Sequence, residues 1–461
     1  MASLTLAIAQ YAVSRMTVPA AIAAIAKSGF IDCAACIVAG RNDGAVLALR
    51  RFIRDQGRGG AARAHAWTDG TQLAAADAAM LDATAAHALD YDDVALAGHP
   101  SAVLVPAILA AAQSVPQCNG MDVLRAYVIG YEVWAELYRR DQDALHQKGW
   151  HPSSTLGLVA ATAAVISVSG LRQDIAQHAL GIACSRAAGV TANFGSATKP
   201  LHIGYAASEA MTAVALARCG MTSAADAIEH GSGLLNALSP AGRVDLSGEV
   251  GLSDGSAYVA RYGLSIKRYP VCYALHRVLD GILALRAQPG FDTRQIEAIE
   301  LCVGDTQANM LRVEAPQTTL EAKFALKFCV AVAAVRGRLG MAELDPGLMR
   351  HPDVAHLLPR IRVTIDTAKC DVYPWFSPAD TVTVRLADAR VLSSGPIRFA
   401  KGNAHNPVDA AALKEKYEDC LAGQDTLAAA PLHACLATLE AVPDIASALA
   451  ACIKPAPAPR A

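Results

Sequence analysis

Charged side chains are scarce in this sequence of 461 residues, since only 18% are Asp, Glu, Lys or Arg. The 40 basic and 42 acidic residues leave a net charge of −2, which offers no extended positive surface for a phosphate backbone, so no nucleic acid partner is expected. The sequence also has no Gly-x-Gly-x-x-Gly and no Walker-type loop, which argues against a nucleotide cofactor. Apolar residues make up 53% of the chain, enough for large cores and for contacts between subunits, so a homo-oligomer is expected.

The twelve cysteines follow no regular spacing, which is typical of small buried side chains in a reducing compartment and not of a disulfide framework. Cys33 and Cys36 form the one close pair, but no second pair lies at zinc spacing, and no metal site is predicted. Residues 1–16 have no basic residue before their apolar part and no small-residue cleavage pattern after it. We therefore expect no signal peptide and a cytoplasmic location.

Residues 149–171 contain no Asp, Glu, Lys or Arg, and this run is long enough to cross a membrane. Alanine, glycine, serine and threonine dominate it, and they gain little on transfer to hydrocarbon. A His-Pro pair near its start also argues against a span. The run is predicted to be a helix buried among other helices, and no membrane partner is expected.

Hydrophobic periodicity predicts a mainly α protein with two domains. Residues 1–265 form Ala-rich helical segments broken by turns, and the helical pattern returns at 405–453, so the large all-helical domain is predicted to be discontinuous. Between 266 and 404, apolar residues alternate at 299–303, 361–365 and 382–386, which predicts strands, with a hairpin into 391–392. Helices over 274–287 and 321–335 interleave with them. This part is predicted to be a smaller α+β domain, and the Pro/Ala-rich residues 454–461 a flexible tail.

Titratable residues are densest between His87 and His99. The segment His87-Ala-Leu-Asp90-Tyr-Asp92-Asp93, followed by His99-Pro100-Ser101, places three carboxylates and two imidazoles within thirteen residues. Such neighbours shift each other's proton affinity, as acid/base chemistry near neutral pH requires. The structural alternative is that the aspartates cap a helix and that His99 lies at a turn.

Two further motifs combine a histidine with a helix start. In the first, Ser153 or Ser154 is predicted to cap a helix whose end could bind a carboxylate while His151 moves a proton; the alternative is a capped helix with an incidental histidine. In the second, Lys199 and His202 precede an Ala-rich helix predicted over 205–218. Lys199 there is either a cation that seeks an anionic partner or a solvated loop lysine.

A last motif, Lys267-Arg268-Tyr269-Pro270-Val271-Cys272, falls at the predicted domain junction, where small-molecule sites tend to form. It brings two cations and a thiol to that point. Cys272 is better suited to be a pocket wall or a proton donor than a nucleophile, because no His/Asn pattern of a cysteine hydrolase accompanies it. His276, just beyond, can be a core or a surface residue.

In their order and spacing, these motifs together with Glu321-Ala-Lys-Phe324 resemble the MmgE/PrpD family, over most of the chain to about residue 400. That family includes 2-methylcitrate dehydratase, cis-aconitate decarboxylase and iminodisuccinate epimerase. The resemblance implies a homodimer whose subunits have a large all-helical domain and a smaller α+β lid domain. It also implies an active site between those domains, with no metal and no organic cofactor.

The resemblance also assigns roles to individual residues. Lys199 and Lys267 are expected to hold substrate carboxylates. His99 or His151 is expected to move a proton at carbon, with Asp90 orienting its partner imidazole. Cys272 stands where the decarboxylase branch has a histidine. The predicted catalytic residues are therefore His151, His99, Asp90, Lys199 and Cys272, and the predicted substrate-binding residues are Lys267, Lys199, Tyr269, Ser153 and His202.

The sequence departs from the family pattern at several positions. Val94 stands where the decarboxylases have a threonine, and Ala325 and Phe328 replace a serine and a tyrosine, which removes hydroxyl groups. Asp82-Ala83 replaces Asn-Gly, and Cys272, Phe328 and Phe194-Gly195 look more like the epimerase branch or an uncharacterised branch of the family.

The predicted function is a cofactor-independent lyase, of dehydratase or decarboxylase type. It would abstract a proton next to a carboxylate of a small di- or tricarboxylate such as 2-methylcitrate or cis-aconitate. The alternative is an epimerase or isomerase of a dicarboxylate such as iminodisuccinate, which works by two-base proton transfer. A third possibility is an inactive dimeric binding protein, against which the retained histidines and lysines count.

Overall fold

The computed structural model describes residues 3–57, 63–141, 143, 145–240, 242–252, 257–372 and 376–454. The chain divides into two compact units, Met1–Ile266 with Asp409–Ala461, and Lys267–Val408. Helices dominate and the sheets are small, so the prediction of a mainly α protein is confirmed. Most of the predicted flexible tail lies outside the described residues.

The first unit is built from helices, three of which come from the C-terminal part of the chain. Short 3₁₀ turns occur in it at Thr191–Asn193 and Leu439–Ala441. The helices are α1 Leu4–Ala12, α2 Ala20–Gly40, α3 Gly44–Gln56, α4 Ala75–Ala88, α5 Pro100–Ala112, α6 Gly120–Arg140, α7 Pro152–Ser169, α8 Gln173–Cys184, α9 Thr198–Arg218, α10 Leu234–Leu238, α11 Ala257–Tyr262, α17 Ala410–Leu421, α18 Ala429–Ala437 and α19 Ile445–Ala450.

Helix α7 lies within the core of this unit and packs against α5, α6 and α9. Pro152 starts it, where a missing N–H costs nothing, and Gly170 ends it with a left-handed φ of 60°. The prediction that Ser153 or Ser154 caps this helix is wrong. The N-cap is His151, whose side chain makes no capping hydrogen bond, and because Pro152 takes the first helical position both serines lie inside the first turn.

Two helices of the described part are long and apolar enough to cross a membrane by length and composition alone, α2 and α7. In the best 18-residue window of each, 72% and 89% of the residues are buried inside the protein. Burial of this extent is what core helices show. The charge-free run at 149–171 accordingly forms a buried helix, as the sequence predicts.

A two-stranded antiparallel ribbon, β1 Arg63–His65 and β2 Gln72–Ala74, interrupts the helices. The sequence analysis missed it, because three-residue strands are too short to show alternation. Buried Asp82 of α4 holds the turn of the ribbon by accepting the N–H groups of Trp67 and Thr68 at 2.9 and 3.3 Å.

The second unit has a four-stranded sheet in the order β4-β3-β5-β6. β3 runs parallel to β4 and antiparallel to β5, and Leu301 faces both Val363 and Val382. β5 and β6 form the predicted hairpin. The strands are β3 Ile296–Gly304, β4 Ile361–Asp366, β5 Thr381–Leu386 and β6 Val391–Ser393, and the helices are α12 His276–Arg286, α13 Asp305–Met310, α14 Thr319–Ala322, α15 Leu326–Arg336 and α16 Pro352–Leu357, with 3₁₀ turns at Tyr273–Leu275, Thr293–Gln295, Met341–Leu344, Pro346–Arg350 and Leu358–Arg360.

Helices α12 and α15 pack together over one apolar core with the sheet, to which Val278, Ile282, Phe328 and Val332 contribute fully buried side chains. The two helices predicted here, 274–287 and 321–335, are therefore present but shorter. The second one is broken at Lys323–Ala325, with Ala325 as the N-cap of α15.

Candidate active site

The acid and imidazole side chains singled out in the sequence meet on the loop between α4 and α5. His87 lies in the last turn of α4, and His99 is the N-cap of α5. Asp92 and Asp93 are fully buried in this loop. Asp90 has a φ of 53°, a left-handed conformation that costs free energy for any residue with a Cβ atom and that is often found at functional sites. We call residues 87–99 the acid–imidazole loop.

Asp92 is the acceptor for both imidazoles. His87 Nδ1 lies 3.0 Å from each Asp92 oxygen, and His99 Nδ1 lies 3.0 Å from Oδ2. His99 Nδ1 is also 3.0 Å from the carbonyl oxygen of Asp93. Because every partner of His99 Nδ1 is an acceptor, this nitrogen carries the proton when the ring is neutral, and Nε2 keeps the lone pair that can take up a further proton.

These contacts and the burial of the loop determine which of its side chains are charged at neutral pH. Burial alone would raise the pKa of Asp92, but the facing His87 and His99 rings and their hydrogen bonds hold it well below its usual value. Burial lowers the pKa of His87 to about 3. Asp92 is thus a carboxylate at neutral pH, next to a neutral His87. The Asp92 carboxylate beside Nδ1 orients the His99 ring, which is the arrangement that supports a histidine general base.

Asp90 lies farther from His99 than Asp92 does, and the role that the resemblance implies for it, orienting an imidazole, stays a prediction. Its Oδ1 lies 4.0 Å from His99 Nε2 but only 3.1 Å from Lys199 Nζ. Lys199 stands in the first turn of α9, which begins at Thr198 and not at the predicted residue 205. Lys199 is therefore an ion-paired cation and not a solvated loop lysine. Its ammonium group also lies 5.3 Å from the centre of the Phe194 ring.

Asp93 has the capping role that the structural alternative proposed for the aspartates. Its Oδ1 accepts the Ser101 N–H at 3.2 Å in the first turn of α5, and its Oδ2 accepts the Ser101 hydroxyl. Tyr127 Oη lies 2.7 Å from that hydroxyl oxygen. Burial raises the pKa of Asp93, and the neighbouring Asp32 raises it further. Asp93 thus supports the end of the loop.

His151 and His202 form a second imidazole pair, with 3.2 Å between their Nδ1 atoms. One nitrogen donates and the other accepts, so the accepting ring is neutral and carries its proton on Nε2. Burial lowers the pKa of both rings, and the charge on Lys199 lowers it further. The His151 ring lies 6.0 Å from that of His87 and meets the edge of Phe194 at 4.9 Å between centroids. The two imidazole pairs are therefore neighbours.

Ser153 links the two histidine motifs through the backbone. Its buried hydroxyl accepts the His99 N–H at 3.1 Å, so it holds His99 at the start of α5. Gly98 precedes His99 because a Cβ atom there would lie 2.7 Å from the Trp134 ring and 2.8 Å from Ser153 Oγ. The Ser153 hydroxyl, which the sequence predicts to bind substrate, thus already accepts a backbone hydrogen bond in this structure.

The remaining predicted site residues lie on one segment of the second unit. Lys267 is only 2% exposed, and Cys272 only 3%. The Tyr269 hydroxyl donates to Asp280 at 2.7 Å, and the Cys272 N–H donates to the Lys323 carbonyl at 3.1 Å. Lys323 belongs to the family-like Glu321–Phe324 motif, so the structure brings this motif to the Cys272 segment.

Four residues could supply ligands to a metal ion. His87, Asp90, Asp92 and His99 each offer one ligand atom, and these atoms lie within 4.8 Å of one another. The same groups already bond each other, and the Lys199 cation competes for Asp90. The absence of a metal and of a cofactor stays a prediction.

Sequence reasoning named the loop but did not assign Asp92 or His87 a role, and it noted Phe194 only as a departure from the family. The five-residue separation of His87 and Asp92 crosses the end of α4, so helix periodicity does not predict their contact. Phe194 lies on the short connection before α9 and is 39% exposed. Nothing in its sequence context indicates that its ring faces both His151 and Lys199.

Parts of this chain are similar to known cis-aconitate decarboxylases and to a protein like them. The mouse cis-aconitate decarboxylase is 28% identical over 330 residues, which is 67% of this chain and 66% of that protein, just under two thirds. The human cis-aconitate decarboxylase is 27% identical over 353 residues, 74% of this chain and 71% of that protein. A cis-aconitate decarboxylase-like protein of Aspergillus oryzae is 33% identical over 156 residues, 31% of this chain and 32% of that protein.

Family models match nearly the full length. The MmgE/PrpD N-terminal domain matches residues 5–247, and the MmgE/PrpD C-terminal domain matches residues 269–431. Together they include every site residue discussed above except Lys267. This chain belongs to the MmgE/PrpD family.

Proposed function

We propose that this protein is a lyase that makes and quenches a carbanion next to a carboxylate of a small di- or tricarboxylate, with cis-aconitate as the first substrate to test. The observation that carries the proposal is the pairing of His99 with the Asp92 carboxylate beside the Lys199 cation. His99 paired with Asp92 is a base that can hold and return a proton. Lys199 supplies a positive charge that can bind a substrate carboxylate.

In a decarboxylation, the bond between carbon and the leaving carboxylate breaks and carbon dioxide departs. The electron pair of that bond moves into the adjacent conjugated system, where a remaining carboxylate helps to bear the charge. A protonated imidazole then delivers its proton to carbon. His99 suits this step, because its Nδ1–H stays on Asp92 and Asp93 while Nε2 gives up a proton and regains it from water.

Lys199 suits the anchoring of a substrate carboxylate. Its present partner, Asp90, is an internal carboxylate at 3.1 Å and shows that the ammonium group can bond such an anion. A substrate carboxylate would share or replace this contact. We propose from the family resemblance that Lys267 holds a further carboxylate, with Tyr269 and Cys272 from the same segment near the substrate.

His151 suits a neutral role. Its burial and the cation of Lys199 both disfavour an imidazolium. We therefore propose that the neutral His151 ring donates or accepts a hydrogen bond with the substrate carboxylate next to the reacting carbon. His202 sets its tautomer through their Nδ1 contact. His99 is then the residue that changes charge during turnover, and His151 the one that does not.

The relatives named above favour the decarboxylase type over the dehydratase type and give the epimerase alternative no support. Val94, Ala325 and Phe328 stand where the decarboxylase pattern has other side chains, so the substrate has to be found by experiment. The homodimer and the cytoplasmic location are proposals that rest on the resemblance and on composition.

The test is proton NMR of the purified protein in D2O with cis-aconitate, 2-methylcitrate, citrate and iminodisuccinate in separate tubes. New vinylic or methylene signals together with carbon dioxide release establish a decarboxylase, and new vinylic signals without it a dehydratase. Deuterium incorporation without a new skeleton would instead establish an epimerase and overturn the proposal. His151→Ala should abolish turnover, while the matched variant His178→Ala, whose ring bonds only the Ser223 N–H among the described contacts, should retain it.

A further inference from the structure

Helix α17, the first of the three helices from the C-terminal part of the chain, places a buried lysine against the acid–imidazole loop. Lys416 is 8% exposed, and its Nζ lies 2.5 Å from Oδ1 of Asp32, a fully buried residue of α2. The same ammonium group donates to the carbonyl oxygen of Tyr91 at 2.8 Å and lies 3.8 Å from the centre of the Tyr91 ring. One cation thus joins α17, α2 and the middle of the loop.

Tyr91 lies between Asp90 and Asp92, the two aspartates that contact Lys199 and the histidines of the loop. Asp90 on one side bonds Lys199, and Asp92 on the other bonds His87 and His99. Asp90 also has the left-handed backbone conformation noted above, which persists only where the surroundings impose it. A charged donor fixed to the Tyr91 carbonyl constrains the loop on the Asp92 side, because it determines the orientation of the peptide group that joins Tyr91 to Asp92.

We propose that Lys416 is a positioning residue for the reaction: by anchoring the Tyr91 carbonyl from α17, it holds Asp92 where it can orient His99. This inference rests on the proposed function for its kinetic consequence. Lys416 also supplies a positive charge among buried carboxylates, since Asp32 lies close enough to Asp93 to affect its titration. The ion pair with Asp32 keeps that lysine charged within the core.

A purely structural ion pair makes a different prediction. Breaking any buried pair removes stability, whether or not the pair is connected to the site. Lys416→Met removes both the ion pair and the Tyr91 hydrogen bond. Asp32→Asn removes the ion pair but leaves the Lys416 to Tyr91 hydrogen bond, because an amide oxygen still accepts from the ammonium group. The two variants therefore share the structural loss and differ in the positioning contact.

The experiment compares kcat and KM of both variants with Arg140→Met, which breaks the buried Arg140–Glu136 pair elsewhere in the same unit. Lys416→Met is expected to lower kcat at least 10-fold with KM within about 3-fold of the wild type, while Asp32→Asn and Arg140→Met keep kcat within about 3-fold. Equal losses of kcat in all three variants, or a wild-type kcat in Lys416→Met, would overturn the proposal. Should Lys416→Met fail to fold, the double variant Asp32→Asn/Lys416→Met, which leaves no unpaired charge, takes its place.

A second readout needs no substrate. The imidazole N–H protons held by Asp92 should give downfield proton NMR signals, which Asp92→Asn assigns by their loss. These signals should shift or vanish in Lys416→Met and persist in Asp32→Asn. If the protein turns over none of the four test substrates, the proposed reaction is refuted, but this measurement still tests the role of Lys416. Unchanged signals in Lys416→Met would refute that role.

Discussion

Replacing Asp92 by asparagine tests the centre of the site. Asp92 now receives an N–H from His87 and one from His99, both at 3.0 Å. An asparagine in the same place offers one oxygen and one NH2 group, so one imidazole would face a donor and would have to move its proton to Nε2. His99 resists this change because the Asp93 carbonyl also accepts from its Nδ1, and His87 would bring a proton to a buried Nε2 that has no partner among the described residues.

The magnitude follows from these contacts. A hydrogen bond to a charged acceptor contributes about 1.5–3 kcal/mol, and a buried group left unsatisfied costs about 1–3 kcal/mol, so Asp92→Asn should lower the free energy of unfolding by about 2–4 kcal/mol. Activity should fall further, because general acid/base catalysis is worth about 100- to 10,000-fold. We expect kcat to drop about 100-fold or more, with a smaller change in KM.

The assay is steady-state turnover of the substrate identified by NMR, with urea denaturation of the same samples. The matched control is Asp82→Asn, which alters a buried carboxylate of α4 that accepts the backbone N–H groups of Trp67 and Thr68. It should lose stability yet keep kcat within a few-fold. A folded Asp92→Asn protein with wild-type kcat would refute the reasoning, since His99 would then need no carboxylate.

Other outcomes follow from the same geometry. Lys199→Met should raise KM by about 10- to 100-fold if the lysine anchors a carboxylate, with a smaller effect on kcat; unchanged KM would remove it from the binding role. Because the folded protein keeps His87 neutral down to about pH 3 whereas the unfolded chain protonates it below about pH 6.5, the free energy of unfolding should fall by about 1.4 kcal/mol for each unit by which the pH is lowered across that window. His87→Gln should flatten this dependence in pH-dependent urea titrations. Phe194→Ala should admit water beside His151 and Lys199 and lower kcat several-fold, whereas an unaltered pH–rate profile and kcat would show that the ring is incidental. Dialysis against EDTA should leave turnover unchanged. If turnover is instead lost and returns only when a divalent cation is added, His87, Asp90, Asp92 and His99 bind a metal ion.

The fold was predictable wherever the hydrophobic pattern is long. Residues 382–386 show alternation and form a hairpin with 391–392 as predicted, and the helical pattern predicted at 405–453 includes α17. The start of α9 was misplaced because Lys199 and Pro200 are typical of loops in isolation. In the structure they occupy the first turn, where a proline needs no N–H partner.

The site was predictable in composition but not in its pairings. The density of acids and imidazoles at 87–99 singled out a loop whose side chains do contact one another, but the resemblance implied the orienting role for Asp90, whereas the shorter contacts with His87 and His99 are those of Asp92. Adjacent carboxylates in a loop differ only by backbone direction, and the φ of Asp90 turns its side chain away to Lys199. Contacts such as Lys416 with Tyr91 join residues 325 positions apart, which no local pattern reveals.

That separation has a consequence for biosynthesis. The ribosome makes the acid–imidazole loop early, but Lys416 emerges only after the whole of Lys267–Val408 has been added. Until then, Asp32 has to fold without its cation, and the loop lacks the donor for its central carbonyl. A nascent chain that stops short of α17 can form most of the helical contacts of the first unit without completing the loop. With the role proposed for Lys416, the order of translation delays activity until nearly the entire polypeptide is present.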